Sequence, residues 1–141
     1  MMHNSRKILV FLGVVFAAAS CATPRTTEVV TLAATTESWN GTTLPAYPEG
    51  NPEVTILRIS IPPKTRLKTH LHPVINAGVM LKGELTVVSE KGDTLHLKAG
   101  DSIVELVNQW HYGENESKTK SAELIVFYAG IEGNPFTIAK E

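Results

Sequence analysis

The sequence predicts an all-β barrel or sandwich, and two observations lead to this prediction. Short apolar stretches with period-two alternation recur from Val54 onward, and turn residues separate them. No window of about 11 residues sustains the apolar spacing of a helix. Both features are typical of antiparallel β architectures. The chain has 141 residues, which is the size of a single domain.

The composition argues against several classes of partner and site. The formal net charge is −1, and no Lys/Arg-rich patch is interleaved with aromatic residues, so a nucleic-acid partner is not expected. The hydrophobic content of 43% is ordinary for a globular protein. A single cysteine, Cys21, excludes an internal disulfide and a cysteine-based zinc site.

Residues 1–21 predict an export signal. A short basic segment, residues 3–7, precedes an apolar run over residues 8–17, which is too short to span a membrane. Small residues directly before Cys21 resemble a bacterial lipoprotein processing site. We therefore expect a cell-envelope lipoprotein that reaches the membrane only through a lipid on Cys21. The alternative is ordinary cleavage near Ala22, which would leave a periplasmic or secreted protein.

The exported part divides into a tether and a domain. Residues 22–38 are rich in threonine and predict a tether, in which residues 28–32 have the character of an edge strand. The barrel domain is expected over residues 39–141. It begins with an ordered loop, residues 39–52, that is dense in glycine and proline.

The strands of the domain follow one another closely. Turn residues at 90–93 and 99–101 separate neighbouring strands, and residues 114–121 are polar and expected in solvent. The predicted strands are residues 54–61, 66–72, 78–81, 84–88, 94–97, 102–107 and 124–128.

Three histidines predict a metal site. His70 and His72 are two residues apart on an extended segment, so both side chains project from the same face. His111 lies far enough along the chain to fold back and join them. The alternative is that the first two are exposed on an edge strand. His96 stands between two leucines, which places it on an exposed face away from the site.

The segment from His70 to Gly83 is similar to the first signature stretch of the cupin family. The family pattern there is His-x-His, three or four residues, a glutamate, six residues and a glycine. His70, His72 and Gly83 match it, and Asn76 stands where the family has the glutamate.

A second stretch matches the second cupin signature, which is Gly, five residues, Pro-x-Gly, two residues, His, three residues and Asn. Gly100, His111 and Asn115 match, whereas Leu106 replaces the proline and Asn108 the glycine. Asparagine adopts a positive φ more readily than most residues, so the turn is expected to persist.

The chain therefore resembles a single-domain cupin over about residues 39–130, which implies a double-stranded β-helix. The resemblance also implies that His70, His72 and His111 bind one divalent metal, with Asn76 as a weak neutral ligand. Imidazole ligands suit Zn, Fe, Cu or Ni, and Mn is a further candidate. Such a site keeps open positions for an anionic or chelating molecule.

The inward face around Asn76 suggests how a ligand would fit. If the strand alternates, Gly78 and Met80 share this face, Gly78 leaving room for a ligand and Met80 lining an apolar wall. Trp110 and Tyr112 flank His111, so in an extended backbone they point away from the metal.

The leading functional hypothesis is a metal-dependent enzyme, dioxygenase-like or isomerase-like, acting on a small molecule. The alternative is an envelope protein that binds a sugar or carboxylate without turnover, and a metal-free structural cupin is a third option. Glu84, Glu105 and Tyr112 are candidate general bases by their proximity in the sequence. Small cupins commonly pair through sheet edges and an N-terminal strand, so the resemblance implies a homodimer with residues 28–32 at its interface.

Overall fold

The computed structural model describes residues 26–141, and these residues form two antiparallel sheets without any helix. The export signal and Cys21 lie outside the described residues. No helix in residues 26–141 is long and apolar enough to cross a membrane. The strands are β1 Pro52–Ile61, β2 Thr65–Arg66, β3 His70–Leu71, β4 Ile75–Lys82, β5 Glu84–Ser89, β6 Thr94–Lys98, β7 Ser102–Val104, β8 His111–Asn115, β9 Ala122–Ile131 and β10 Ile138–Ala139.

The strand order shows how the chain crosses between the two sheets. The four-stranded sheet has the order β1-β9-β4-β7. The six-stranded sheet has the order β10-β3-β8-β5-β6, and β2 also pairs with β8. The long β1–β9 ladder joins strands that are far apart in sequence, running from Pro52 opposite Ile131 to Ile61 opposite Ala122. The prediction of an all-β double-stranded β-helix is confirmed.

Alternating burial along the strands places the core between the sheets. In β9, Ala122, Leu124, Val126 and Tyr128 are buried, whereas the residues between them are half-buried or exposed. β5 follows the same period of two. Alternate side chains of a strand point to opposite faces, so each strand contributes one apolar row to the core.

Several strand boundaries differ from the prediction. The expected strand 66–72 is two short strands, β2 and β3, and both pair with β8. The expected strand 102–107 ends at Val104. The chain then reaches Asn108, which has a φ of 55° and donates its backbone N–H to the carbonyl oxygen of His72 at 2.8 Å. The expectation that Asn108 tolerates a positive φ is therefore confirmed.

Residues 28–32 form no strand in the structure. Val29, Val30 and Leu32 are exposed there. The Oγ of Ser102 in β7 donates a hydrogen bond of 2.8 Å to the carbonyl oxygen of Leu32, which holds the segment beside an edge strand. Further along, the backbone N–H of Trp39 donates to the carbonyl oxygen of Val104 at 2.9 Å.

Candidate metal centre

Strand pairing brings the three histidines together. His70 begins β3 and His111 begins β8, and the two are paired directly across the ladder. His72 lies two residues beyond His70 and forms a parallel bridge with Val107. The ring centroids are 4.6 Å apart for His70 and His111, and 5.0 Å apart for each pair that includes His72. One ring nitrogen from each lies within 4.8 Å of the other two, so these residues are close enough to hold one metal ion.

Backbone carbonyls orient all three rings. The Nδ1 of His70 lies 2.8 Å from the carbonyl oxygen of Lys68, and the Nδ1 of His111 lies 2.9 Å from that of Gln109. The Nδ1 of His72 lies 3.0 Å from the carbonyl oxygen of Phe136. A carbonyl oxygen only accepts, so each Nδ1 carries the hydrogen and each Nε2 keeps its lone pair. Metal-binding histidines are commonly oriented in this way.

The environment keeps the three rings neutral. Burial lowers the pKa of His70 and of His111, and it lowers the pKa of His72 to about 3. The carbonyl contacts of the three rings act in the opposite direction and are the smaller effect. Neutral imidazole is the form that binds a metal, so the cluster is ready for one near neutral pH.

Three buried polar atoms on residues of the predicted site lack a hydrogen-bond partner among the described residues. They are the Nε2 of His111, the Oδ1 of Asn76 and the Oε2 of Glu105. A buried acceptor without a partner costs free energy, so such atoms are uncommon unless something else satisfies them. All three are electron-pair donors, and a cation would satisfy each one. The residues present therefore fit a divalent metal.

Asn76 lies in β4 and is only 2% exposed. Its Nδ2 donates a hydrogen bond of 3.2 Å to the carbonyl oxygen of Val74, while its Oδ1 has no partner within the described residues. The side chain therefore presents its oxygen and not its amide nitrogen as the free atom. That Asn76 ligates the metal stays a prediction.

Glu105 follows β7 and is the buried carboxylate of the site. Its Oε2 lies 3.7 Å from the Nε2 of His111, which is too long for a hydrogen bond. Burial raises the pKa of Glu105 to about 7, and the nearby His70 opposes this shift. The sequence identified Glu105 only as one of three candidate bases, yet it is the only one of the three that lines the same cavity as the histidines.

The histidines face a cavity of about 410 Å³ between the sheets. Most of its wall is aliphatic or aromatic, and among residues 26–141 Lys68 is the only lysine or arginine that lines it. The larger apolar side chains of the wall are those of Leu57, Ile59, Ile61, Leu67, Leu85, Val87, Leu124, Val126, Tyr128 and Phe136.

Gly78 and Met80 do not have the roles expected from the sequence. Both are on the buried face of β4, as predicted, but neither lines this cavity. A Cβ on Gly78 would lie 3.0 Å from the carbonyl oxygen of Ile125 and 3.2 Å from the Cγ2 of Val126. The missing side chain thus allows β4 and β9 to pack closely and does not make room for a ligand. Met80 is part of the hydrophobic core.

The remaining candidates lie away from the cluster. His96 is exposed, as expected, with its Nδ1 3.1 Å from the Oγ1 of Thr86. The ring of Tyr112 packs against the guanidinium of Arg66, whose Cζ is 3.5 Å from the ring centroid. Glu84 lines a separate cavity together with His96. Neither Glu84 nor Tyr112 is therefore placed to act as a base at the metal centre.

Two parts of the site, Tyr128 and the C-terminal segment, were not predicted from the sequence as parts of it. Tyr128 is 4% exposed, and its ring centroid lies 5.4 Å from that of His72. Burial raises the pKa of Tyr128 to about 12, so its hydroxyl keeps its proton. The C-terminal segment supplies the carbonyl of Phe136 and the Oγ1 of Thr137, both beside the Nδ1 of His72. These contacts span more than 60 residues, so local patterns do not reveal them.

The last motif residue, Asn115, has a structural role. It is completely buried, and its Nδ2 donates hydrogen bonds to the carbonyl oxygens of Ile61 and Lys120, each at 2.9 Å. Its Oδ1 accepts a hydrogen bond from the backbone N–H of Ser117 at 3.1 Å. Asn115 thus ties the end of β8 to the end of β1 and to the loop that follows β8.

Comparison with known proteins agrees with this fold. The family model for the cupin domain matches residues 57–128, which is about half of the chain, so the chain belongs to the cupin family. No curated protein matches the sequence.

Several solved structures are similar in fold. A conserved protein with a double-stranded β-helix domain from Klebsiella pneumoniae has 19% identity and a TM-score of 0.53, covering 67% of this chain and 88% of that one. An oxalate oxidase in complex with the substrate analogue glycolate has 24% identity and a TM-score of 0.52, and the match covers 61% of this chain and 45% of the oxidase.

A third similar structure is the DMSP lyase DddQ from Ruegeria pomeroyi, with 16% identity and a TM-score of 0.53, covering 62% of this chain and 43% of the lyase. The present chain thus spans less than half of both enzymes. At these identities the likeness establishes the fold alone.

Proposed function

We propose that this cupin binds a divalent transition metal through His70, His72 and His111 and acts as an enzyme on a small, largely apolar molecule. The main support for this proposal is that three neutral, oriented imidazoles lie in the wall of an apolar cavity. A cluster of this kind in the wall of an apolar pocket is a common arrangement for metal-assisted chemistry.

The metal would supply Lewis acidity, and a suitable redox metal would also support oxygen chemistry. The chain would position the substrate through the apolar walls, which also exclude water. The Tyr128 hydroxyl keeps its proton, so it can donate a hydrogen bond to an oxygen of the bound molecule. Dioxygenase-like and isomerase-like reactions both remain within this proposal, since the fold does not choose between them.

The apolar wall also bears on the non-catalytic alternative. A sugar needs many hydrogen-bonding partners, and apart from the three histidines and Glu105 this cavity wall offers the polar groups of Lys68, Tyr128 and Thr137. A carboxylate would meet the metal and the ammonium group of Lys68, which also lines the wall. The preferred ligand is therefore an apolar molecule with one metal-binding polar group.

The metal is tested by elemental analysis of protein purified without a histidine tag. We expect about one equivalent of a transition metal in the wild type and none in the variant in which His70, His72 and His111 are all replaced by alanine. His96→Ala is the matched control and should keep the metal, because His96 is exposed and outside the cluster. Wild-type protein that takes up no metal, even after incubation with Fe²⁺, Zn²⁺, Ni²⁺, Cu²⁺ and Mn²⁺, would contradict the proposal.

Catalysis is tested separately by screening the metal-loaded protein against small apolar carboxylates, ketones and phenols. Product formation or oxygen uptake that disappears in the triple-histidine variant would support an enzyme. Saturable binding of one of these compounds without turnover would favour the alternative of a ligand-binding cupin.

We also propose that the protein is exported and anchored through Cys21, on the basis of the order of basic, apolar and small residues before it. Expression in a bacterial host should yield a mature chain that starts at a lipid-modified Cys21, and Cys21→Ser should release the protein from membranes. Intact-mass measurement of an unprocessed chain in the soluble fraction would contradict this proposal.

A further inference from the structure

A cross-strand pair places Glu105 opposite the position where other cupins have their glutamate. β4 and β7 pair with Ala77 opposite Val104, and the backbone N–H of Glu105 donates to the carbonyl oxygen of Asn76 at 3.0 Å. The ladder therefore continues by one residue, with Glu105 opposite Asn76. Directly opposed residues of an antiparallel pair project to the same face of the sheet. Both residues are buried, and Glu105 lines the cavity that the histidines face.

The contact between Glu105 and His111 indicates a shared partner. The Oε2 of Glu105 and the Nε2 of His111 are 3.7 Å apart. Glu105 is 8% exposed and His111 is 2% exposed, and neither atom has a hydrogen-bond partner in the described part of the chain. Two atoms bound at about 2.1 Å to one ion lie roughly 3–4 Å apart at ordinary bond angles. The observed separation therefore suits two ligands of one ion.

We propose that Glu105 supplies the carboxylate ligand of this metal centre, in place of the glutamate that other cupins have at the position of Asn76. This inference rests on the proposed function, because it requires that the histidines bind a metal. The carboxylate would come from the segment after β7 instead of from β4. It would lower the net charge of the centre from that of the bare dication to about +1.

The test is calorimetric titration of the metal-free protein with Mn²⁺ and with Zn²⁺. Glu105→Gln keeps the size of the side chain and removes its charge. We expect it to lower the affinity for Mn²⁺ more than about 10-fold, with a smaller loss for Zn²⁺, because Mn²⁺ prefers oxygen ligands. Glu84→Gln is the matched control and should leave both affinities unchanged, since Glu84 lines a different cavity.

A second variant tests the equivalence of the two positions. Asn76→Glu combined with Glu105→Gln moves the carboxylate back to β4. We expect this double variant to recover most of the Mn²⁺ affinity that Glu105→Gln loses. Failure to recover it would overturn the inference, because the two positions would then not face the same ion.

Thermal unfolding separates ligation from a structural role. Glu105→Gln should leave the melting temperature of the metal-free protein unchanged or raise it, because it removes a buried negative charge whose Oε2 has no hydrogen-bond partner among the described residues. The increase in melting temperature on adding Mn²⁺ should shrink. Wild-type affinity in Glu105→Gln would overturn the inference while leaving the proposed function intact. Wild-type protein that binds no metal would overturn both.

Discussion

The two sheets contribute different chemical groups to the candidate metal centre. The six-stranded sheet provides the imidazoles of His70 and His111, and His72 follows directly after its strand β3. A backbone carbonyl oxygen contacts the Nδ1 of each of these three rings. β4 of the four-stranded sheet provides the side-chain oxygen of Asn76, and the segment that follows β7 provides the carboxylate oxygen of Glu105. These two oxygens have no hydrogen-bond partner within residues 26–141.

This difference shows which half of the site is formed in advance. The imidazoles are oriented by contacts that exist without a metal, so their geometry costs little on binding. Under the proposal, the two oxygens would gain a partner only when a cation binds. We therefore expect the imidazoles to set the overall metal affinity and the oxygens to set the charge and the preference among metals.

The largest expected effect comes from removing an imidazole. His70→Ala, His72→Ala or His111→Ala should each lower metal affinity more than about 100-fold, beyond the range seen when a residue that only orients a ligand is lost. Asn76→Ala should lower metal affinity less than any of these three variants, because water can replace a neutral amide oxygen. Titration calorimetry of the metal-free variants measures the ranking. Equal affinity of His111→Ala and wild type would show that the three-histidine centre is wrong.

The sequence predicted most of the strands and the His70–His72 pair because both depend on local periodicity, whereas His111 was assigned through the second cupin signature. Period-two alternation places one face of each strand in the core, and His-x-His places two imidazoles on one face. β8 was not predicted as a strand, because its buried positions hold His111, Gly113 and Asn115, which do not form an apolar pattern. β10 has only two residues and gives no pattern.

The other half of the centre depends on register between distant strands. Glu105 is opposite Asn76 only because β7 pairs with β4 in one particular register, and nothing local in the sequence specifies that pairing. The contact between His72 and the carbonyl of Phe136 likewise joins residues 64 positions apart. Gly78 was misjudged for the same reason, because its neighbours Ile125 and Val126 belong to β9.

A second prediction separates buried polar residues that stabilise the fold from those that bind metal. Asn115→Ala would leave the carbonyl oxygens of Ile61 and Lys120 without their donor. The free energy of unfolding of the metal-free protein should fall by about 1–3 kcal/mol, measured by urea denaturation. Metal affinity of the folded variant should match that of the wild type. A metal affinity that falls as far as in His111→Ala would place Asn115 in the metal centre instead.

A third prediction compares a glycine from each sheet. Gly78→Ala should destabilise the protein by about 1–3 kcal/mol, because the new Cβ meets the carbonyl oxygen of Ile125 at 3.0 Å. Gly113→Ala is the matched variant in the six-stranded sheet. Its Cβ would lie 3.5 Å from Leu67 and Leu85, an ordinary contact, so a smaller change is expected. Urea denaturation of both variants provides the measurement, and equal losses would contradict the close β4–β9 packing.

The smallest expected effect concerns Thr137, which contacts the imidazole half of the site. Its Oγ1 is 3.1 Å from the Nδ1 of His72, and a hydrogen bond from Thr137 moderates the raised pKa of Tyr128. Thr137→Val keeps the shape and removes the hydroxyl. Metal affinity should fall less than about 10-fold, because the carbonyl of Phe136 still contacts the same nitrogen. Thr137→Ser, which keeps the hydroxyl, should bind metal as the wild type does. If Thr137→Val lost as much affinity as His72→Ala, the backbone carbonyl alone would not orient the ring, and the imidazole half would be less formed in advance than the contacts indicate.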